Sequence, residues 1–145
     1  MKVVVQRAID AKVVVDNKVV GAIDKGYMLL VGFTHKDTEE NCQKMAKKIN
    51  NLRIFEDNEG KMNLNLSSVS GKVLSISQFT LYADTNNGNR PSFVDAMKQD
   101  EAKELYLYFN KCLKDLGIIV SEGIFQADMK VTFTNDGPVT IILDN

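Results

Sequence analysis

The sequence predicts a mixed α/β fold, largely antiparallel, in which rolled or layered β-sheets are covered by two main helices in α/β/β layers. Short valine-rich and aliphatic segments recur from residue 2 to residue 143, and such segments are typical of strands. Near residues 37–52 and 100–116, apolar residues instead repeat at helical spacing. The length of 145 residues suits one domain, which we expect to span residues 1–145.

The first part of the chain predicts strands joined by short turns. Residues 2–8 and 11–15 are valine-rich, and residues 16–18 form a polar turn before a strand at 19–23. A second turn is predicted at residues 24–26. The apolar run at residues 27–33 is short enough for a strand that is buried on both faces.

The first helix is predicted to start near Asp37, since Glu40 follows three residues later in the spacing of a capping box. Its apolar residues at helical spacing are Cys42, Met45, Ala46, Ile49 and Leu52. Lysines occupy the other side, and such a charged run opposite an apolar stripe is typical of a solvated helix face.

The middle of the chain predicts a strand at residues 52–56, a turn at 57–60, a strand at 62–66 and a loop at 67–71. A polar surface loop follows at residues 82–93. The second helix is expected from Asp100 to Gly117, with these residues facing inward: Ala102, Leu105, Phe109, Cys112, Leu113 and Leu116. Tyr106 and Tyr108 are interpreted as surface or packing aromatics of this helix.

The last part of the chain predicts strands at residues 118–125, 129–134 and 139–143. We expect the last two strands to form a hairpin around residues 135–138, because Asn-Asp-Gly is ordinary turn chemistry. Pro138 complicates this interpretation, since proline at the root of a strand removes a ladder hydrogen bond and accepts a cis peptide bond at modest cost.

Charge and composition restrict the partners and the location that we expect. Eighteen Lys and Arg residues against nineteen Asp and Glu residues give a net charge of −1, so no overall field attracts a nucleic-acid backbone. Any RNA contact is therefore expected to be local, and we expect no DNA partner. The chain shows neither a secretory signal nor an apolar run of membrane-spanning length, which predicts a cytoplasmic protein without a membrane partner.

The cysteine and histidine content predicts neither a disulfide nor a metal site. Cys42 and Cys112 each fall on the apolar side of a predicted helix, which favours buried, reduced thiols. His35 is the single histidine, and it precedes the first predicted helix. Without clustered Cys and His ligands, we expect no metal.

One segment, residues 73–81, begins as a buried strand and ends in polar residues around an aromatic one. These residues are Ser77, Gln78, Phe79 and Thr80. Hydroxyl and amide side chains donate and accept hydrogen bonds, as a binding or catalytic site requires. The alternative is a strand end whose polar side chains satisfy the neighbouring backbone, and the segment alone leaves both possibilities open.

A second unusual segment lies at the far end of the chain. The two motifs are Ser77-Gln78-Phe79-Thr80-Leu81 and Asn135-Asp136-Gly137-Pro138-Val139-Thr140. Together they resemble the motif pair of the D-aminoacyl-tRNA deacylases, also called D-tyrosyl-tRNA deacylases. The similarity runs nearly from end to end, through residues 4–7, 51–57, 60–63, 89–93 and 139–145. Either motif alone is a weak signal, whereas the ordered set is specific.

The resemblance implies a homodimeric hydrolase that cleaves the ester between a D-amino acid and the 3′-terminal adenosine of tRNA, and that also accepts the glycyl ester. It implies no metal and no organic cofactor. Residues 77–81 would line the pocket for the adenosine and the ester. Gly137 and Pro138, joined by a cis peptide, would reach across the dimer and exclude an L side chain, while Arg7 braces this motif.

The chemistry of the residues leaves part of the mechanism open. Backbone N–H groups of Phe79 and Thr80 are candidates for stabilising the oxyanion of a hydrolysed ester. Thr80 either positions the attacking water or acts as a nucleophile, and the second role requires a base for which His35 is a poor candidate. The substrate 2′-hydroxyl is a further candidate for proton transfer.

Two other classes of protein share these features. The first is a non-catalytic module that binds RNA 3′ ends or nucleotides. The second is a structural dimerisation domain whose polar residues are all satisfied internally.

Overall fold

The computed structural model describes residues 1–145, and the chain forms seven strands and two α-helices. In chain order these are β1 (Lys2–Val15), β2 (Lys18–Gly32), α1 (Glu39–Asn51), β3 (Phe55–Glu56), β4 (Met62–Leu64), β5 (Lys72–Ser77), α2 (Gln99–Asp115), β6 (Val120–Glu122) and β7 (Lys130–Asp144). Two short 3₁₀ helices occupy Ser67–Val69 and Phe79–Tyr82.

Five strands form one sheet in the order β6-β5-β2-β1-β7, and β3 pairs with β4 in a small second sheet. The long strand β1 pairs antiparallel with both β2 and β7, whereas β5 pairs parallel with β2 and β6. The predicted mixed and largely antiparallel fold with two main helices is thereby confirmed.

The sheet buries apolar residues on both faces, because side chains alternate along its strands. On one face, Val3, Val5 and Leu29 belong to the main core together with α1 and α2. On the other face, Ala8, Met28, Leu74 and neighbouring residues form a smaller core. Residues from the first half of β7, including Phe133, pack against this smaller core, so the sheet curls over it.

The expected strand breaks at residues 9–10 and 24–26 are absent, because β1 and β2 each continue through them. Asp10 has φ 52° and marks an irregularity in the pairing of β1 with β7, while Gly26 has φ 146°. Both positions therefore absorb a local distortion without ending the strand. The turn predicted at residues 16–18 is present, and Asp16 and Asn17 both adopt positive φ.

The predicted hairpin around residues 135–138 is wrong. Residues 130–144 form one strand, and both halves pair with β1 instead of with each other. Asn135 side-chain Oδ1 accepts a hydrogen bond from the Val139 N–H at 3.1 Å, so the turn chemistry produces a bulge within β7. The pairing accordingly changes register between Gln6 and Ala8 of β1.

Both helices differ in detail from the prediction. The N-cap of α1 is Thr38, whose N–H donates to the Asn41 side-chain oxygen at 3.0 Å, so the capping box uses Asn41 and not Glu40. In α2, Tyr106 and Asn110 are buried, whereas Leu116 lies beyond the helix and is exposed. Both cysteines are free thiols. Neither helix has the length and apolar character needed to cross a membrane.

Candidate functional site

A cavity of about 540 Å³ opens where β5 ends. Its walls come from the ends of β2 and β5, from the start of α2 and from the segment before β7. The lining residues are Val31, Gly32, Phe33, Ile76, Ser77, Gln78, Phe79, Phe93, Ala96, Met97, Lys98, Gln99, Ala102, Phe125, Gln126, Ala127, Asp128, Met129 and Val131. Mostly apolar walls with a few polar groups are typical of small-molecule sites.

The predicted segment turns sharply at the cavity. The Gln78 N–H donates to the Val31 carbonyl at 2.7 Å, which extends the parallel pairing of β5 with β2 by one bond. The chain then enters the 3₁₀ helix at Phe79–Tyr82. A Cβ on Gly32 would lie 2.9 Å from the Gln78 carbonyl oxygen, so glycine at this position permits the close approach of the two backbones.

The side chains of the segment divide between the cavity and its rim. Ser77 and Gln78 are half-buried, and the Gln78 amide donates a hydrogen bond to Thr80 Oγ1. Phe79 is 57% exposed, and its ring meets Phe93 edge-on with 5.0 Å between ring centroids. Thr80 is exposed and lies outside the cavity lining.

Arg7 holds the second motif. Its buried guanidinium donates from Nε to the Asp136 carbonyl at 2.9 Å and from Nη1 to the Ile54 carbonyl at 3.1 Å. The carboxylates of Asp136 and Glu56 lie 3.3 and 3.8 Å from the same guanidinium. Gly137 has φ 132°, and the peptide bond that joins it to Pro138 is cis.

Within one chain, the two motifs lie apart. Val3 pairs with Val31, which lines the cavity, whereas Arg7 pairs with Tyr27. Arg7 is therefore four residues further along β1, a distance of roughly 13 Å at the rise of a strand. The structure brings Ser77, Gln78 and Phe79 to the cavity, and it brings Arg7, Gly137 and Pro138 together elsewhere on the sheet, where both of the latter are exposed.

The charged groups near the cavity are few. Lys98 and Asp128 are the ionisable side chains of its lining. Lys2 Nζ lies 4.9 Å from the centroid of the Tyr82 ring and donates to the Leu81 carbonyl at 3.3 Å. Burial raises the pKa of the Tyr82 hydroxyl, as do the Asp37 and Asp144 carboxylates.

His35 lies outside the cavity lining, with Nε2 2.7 Å from the Val94 carbonyl oxygen. No group of three His, Cys, Asp or Glu side chains is arranged to hold a metal ion.

Several residues of the cavity were not singled out by the sequence. Lys98 and Gln99 at the start of α2, together with Phe125 and Met129 before β7, reach the cavity only through long-range packing. Gly32 could have been singled out from the sequence, because a glycine within an apolar strand often marks the close approach of another backbone.

Comparisons with known proteins agree over the full chain. The family model described as D-Tyr-tRNA(Tyr) deacylase matches residues 4–144. A D-aminoacyl-tRNA deacylase from Thermus aquaticus is 53% identical over 145 residues, covering 100% of this chain and 95% of the relative. One from Anoxybacillus flavithermus is 57% identical over 145 residues, covering 100% of this chain and 99% of the relative.

Solved structures are similar as well. A protein titled c-Myc DNA Unwinding Element Binding Protein superposes with a TM-score of 0.94 at 38% identity, covering 100% of this chain and 99% of the other. A probable eukaryotic D-amino acid tRNA deacylase superposes with a TM-score of 0.84 at 19% identity, covering 99% of this chain and 98% of the other. At that lower identity, the second likeness concerns the fold alone.

Proposed function

Since the chain belongs to the D-Tyr-tRNA(Tyr) deacylase family and is a hydrolase of that family, we propose that it hydrolyses the ester of D-aminoacyl-tRNA. The products are a free D-amino acid and tRNA, so the reaction removes wrongly charged tRNA before translation uses it. We include the glycyl ester among the substrates, because glycine has no side chain for a chiral barrier to reject. We place the activity in the cytoplasm.

The cavity at the end of β5 carries this proposal. Its volume of about 540 Å³ falls within the range of small-molecule sites, and a nucleoside bearing one aminoacyl group is a ligand of that size. Apolar walls suit an adenine ring, while Ser77 and Gln78 offer hydrogen bonds. In this proposal the protein contacts only the acceptor end of tRNA, in keeping with its net charge of −1.

Hydrolysis at this site needs a water and an oxyanion site. Water attacks the carbonyl carbon, the carbonyl oxygen becomes an oxyanion, and the bond to the ribose oxygen then breaks. One proton of the water reaches the ribose oxygen, and the acid leaves as a carboxylate after the other proton passes to solvent. The N–H groups of Phe79 and Thr80 begin a 3₁₀ helix and have no partner within it, so they suit an oxyanion.

Thr80 is proposed to position the water, with its hydroxyl oriented by the Gln78 amide. The substrate 2′-hydroxyl is proposed to assist proton transfer to the leaving ribose oxygen. A terminal 2′-deoxyadenosine that is hydrolysed at the unchanged rate would argue against this assistance.

Selection against L esters is assigned to Gly137 and Pro138 of a second subunit. Both residues are exposed, and Arg7 hydrogen-bonds the carbonyl of Asp136, the residue before them. They lie apart from the cavity of their own chain, so they reach such a cavity only from a partner. A backbone barrier rejects the wrong hand by repulsion, which separates near-isosteric substrates better than attraction does.

We place the contact with that partner on the sheet face opposite the helices. The pairs Val4–Ile142 and Gln6–Thr140 lie side by side on β1 and β7, and Ile142 is 67% exposed. A large apolar side chain exposed on the same strand as Gly137 supports pairing of two such faces.

The decisive experiment is to incubate the purified protein with D-tyrosyl-tRNA, L-tyrosyl-tRNA and glycyl-tRNA and to measure amino-acid release. We expect release from the D and glycyl esters and little from the L ester. Sedimentation analysis should give a dimer. A protein that binds D-tyrosyl-tRNA without releasing tyrosine would contradict the proposed function.

That outcome would favour a second candidate, a nucleic-acid or nucleotide-binding module without turnover. The solved structure titled c-Myc DNA Unwinding Element Binding Protein, 38% identical to this chain, supports that candidate by its name. Titration with RNA 3′-end oligonucleotides and with duplex DNA would then show which of the two is bound.

A further inference from the structure

Three walls of the cavity come from different parts of the chain and meet at one buried carbonyl. That carbonyl belongs to Ser75, two residues before Ser77 on β5. It accepts hydrogen bonds from the Tyr106 hydroxyl at 2.7 Å and from the Gly123 N–H at 3.0 Å. Tyr106 belongs to α2, and Gly123 precedes the wall at residues 125–129. Hydrogen bonds to this one oxygen atom therefore connect β5, α2 and the segment before β7.

The side chains around this carbonyl form a buried polar junction of Ser75, Tyr106 and Asn110. Their exposures are 0%, 1% and 1%. Asn110 lies one helical turn beyond Tyr106, on the same side of α2. Burial raises the pKa of the Tyr106 hydroxyl, and the Ser75 and Asn110 side chains act in the opposite direction. The hydroxyl therefore stays protonated at neutral pH and remains a donor.

Part of the junction has no hydrogen-bond partner. Ser75 Oγ and both polar atoms of the Asn110 amide are buried without a hydrogen bond of good geometry, although both side chains lie close enough to the Tyr106 hydroxyl to lower its pKa. Nearly all buried polar atoms in folded proteins are paired, and an unpaired one costs free energy that an apolar group of similar shape does not. Buried polar side chains without a full set of hydrogen bonds are unusual, which points to a role in function.

We propose that Tyr106 is a positioning residue for ester hydrolysis, fixing with Ser75 and Asn110 the spacing of the three cavity walls. This rests on the proposed function of the cavity. Tyr106 itself does not line the cavity. It acts through the Ser75 carbonyl and through its ring, whose centroid lies 5.9 Å from that of Phe125, a lining residue. Small shifts of the walls misplace water and ester, and rates fall steeply with such misplacement.

The first test is Tyr106→Phe, which removes the donor to Ser75 and keeps the ring. With D-tyrosyl-tRNA we expect KM to rise and kcat to fall, each about threefold, in keeping with a loosened site. A merely structural effect would reduce the folded fraction, which lowers apparent kcat and leaves KM unchanged. Tyr108→Phe is the matched control, because its hydroxyl belongs to the same helix and accepts a hydrogen bond from the exposed Gln43 side chain, away from the Ser75 carbonyl.

The second test is Asn110→Leu, which removes both unpartnered amide atoms. We expect an equal or higher melting temperature together with the same rise in KM. Binding of a non-hydrolysable 3′-aminoacylamide of adenosine, measured by calorimetry, should weaken about threefold in both variants, by the same loosening. Wild-type KM and wild-type analogue affinity in both variants would overturn the proposal.

Failure of the proposed hydrolase function can be distinguished from failure of the proposed positioning role of Tyr106. A wild-type protein that releases no tyrosine removes the proposed function. The analogue's affinity then decides alone whether the junction shapes the cavity, with weakened binding in both variants supporting it and unchanged binding overturning it.

Discussion

Arg7 and Asp136, 129 positions apart in the sequence, are joined by a hydrogen bond from Arg7 Nε to the Asp136 carbonyl oxygen at 2.9 Å. The same guanidinium donates to the Ile54 carbonyl at 3.1 Å, and the Arg7 residue is only 6% exposed. A fixed planar fork with several donors makes both contacts at once, which a lysine ammonium would not reproduce. Arg7 thereby fastens the segment before Gly137 to the protein core.

Arg7→Met should lower the free energy of unfolding by about 2–4 kcal/mol, because two backbone carbonyls lose charged donors in a buried setting. The exposed carboxylates beside Arg7 add little to this figure. Urea denaturation monitored by circular dichroism measures the change.

Arg53→Met is the matched control for that experiment. Arg53 also donates from Nε to a carbonyl, that of Asn63 at 2.8 Å, but it is exposed. Its replacement should lower the free energy of unfolding by less than about 1 kcal/mol. Equal losses in the two variants would contradict a special role for the buried guanidinium.

Gly137→Ala should lower hydrolysis of the D ester at least about tenfold or weaken rejection of the L ester. The added Cβ would lie 2.7 Å from Val139 Cγ2 and 3.2 Å from Arg7 Nη2, at a φ of 132° that L residues rarely adopt. The backbone of the barrier would then move, and the discrimination between D and L esters would change with it. Release of tyrosine from both esters measures the effect.

Gly88→Ala separates backbone strain from this steric effect. Gly88 has φ 111°, yet a Cβ there meets nothing within 4 Å. We expect its turnover and its selectivity to match the wild type. If Gly137→Ala also matched the wild type for both esters, Gly137 would not belong to a chiral barrier.

Cys42 should make the protein less stable as the pH rises above 9. Burial raises the pKa of its thiol from 9.0 to about 12, with a smaller contribution from Cys112. The unfolded chain therefore releases this proton first, and stability is lost between the two values. Comparing wild type with Cys42→Val by urea denaturation at pH 8 and pH 10.5 isolates the thiol.

The wild type should lose about 1–2 kcal/mol more than Cys42→Val between these two pH values. The buried tyrosines titrate in both proteins and cancel in the comparison. Cys42 should also resist alkylation at pH 8 while the protein is folded. Rapid alkylation under native conditions would show that the thiol is neither buried nor protonated as the structure indicates.

Local patterns predicted much of the fold because the strands and helices here follow their periods closely. The alternation of buried residues Val3 and Val5 in β1 and the helical spacing of Met45 and Ile49 in α1 are visible in the sequence. Turn chemistry was less reliable at residues 135–138. These residues form a bulge and not a hairpin turn, because the halves of β7 before and after them both pair with β1.

The candidate site was predictable only in part. Residues 77–79 could be singled out, since polar side chains at a strand end are locally unusual. Phe125 and Lys98 could not, because they reach the cavity through the packing of α2 and of the segment before β7. Tyr106 resembled any other helix aromatic, since its significance depends on the Ser75 carbonyl on a different element.

Thr80→Val should lower kcat for D-tyrosyl-tRNA by up to about 100-fold, because loss of the positioning hydroxyl misplaces the attacking water. A nucleophile would instead lose about 10⁴-fold or more. The Thr80 hydroxyl oxygen already accepts a hydrogen bond from the Gln78 amide, and no histidine lines the cavity to take its proton.

Thr80→Ser keeps the hydroxyl and should stay near the wild type, as should Thr85→Ala on the exposed loop. Acid-quenched reactions analysed by mass spectrometry provide the second readout. An aminoacyl group covalently attached at Thr80 would show that this residue attacks the ester itself.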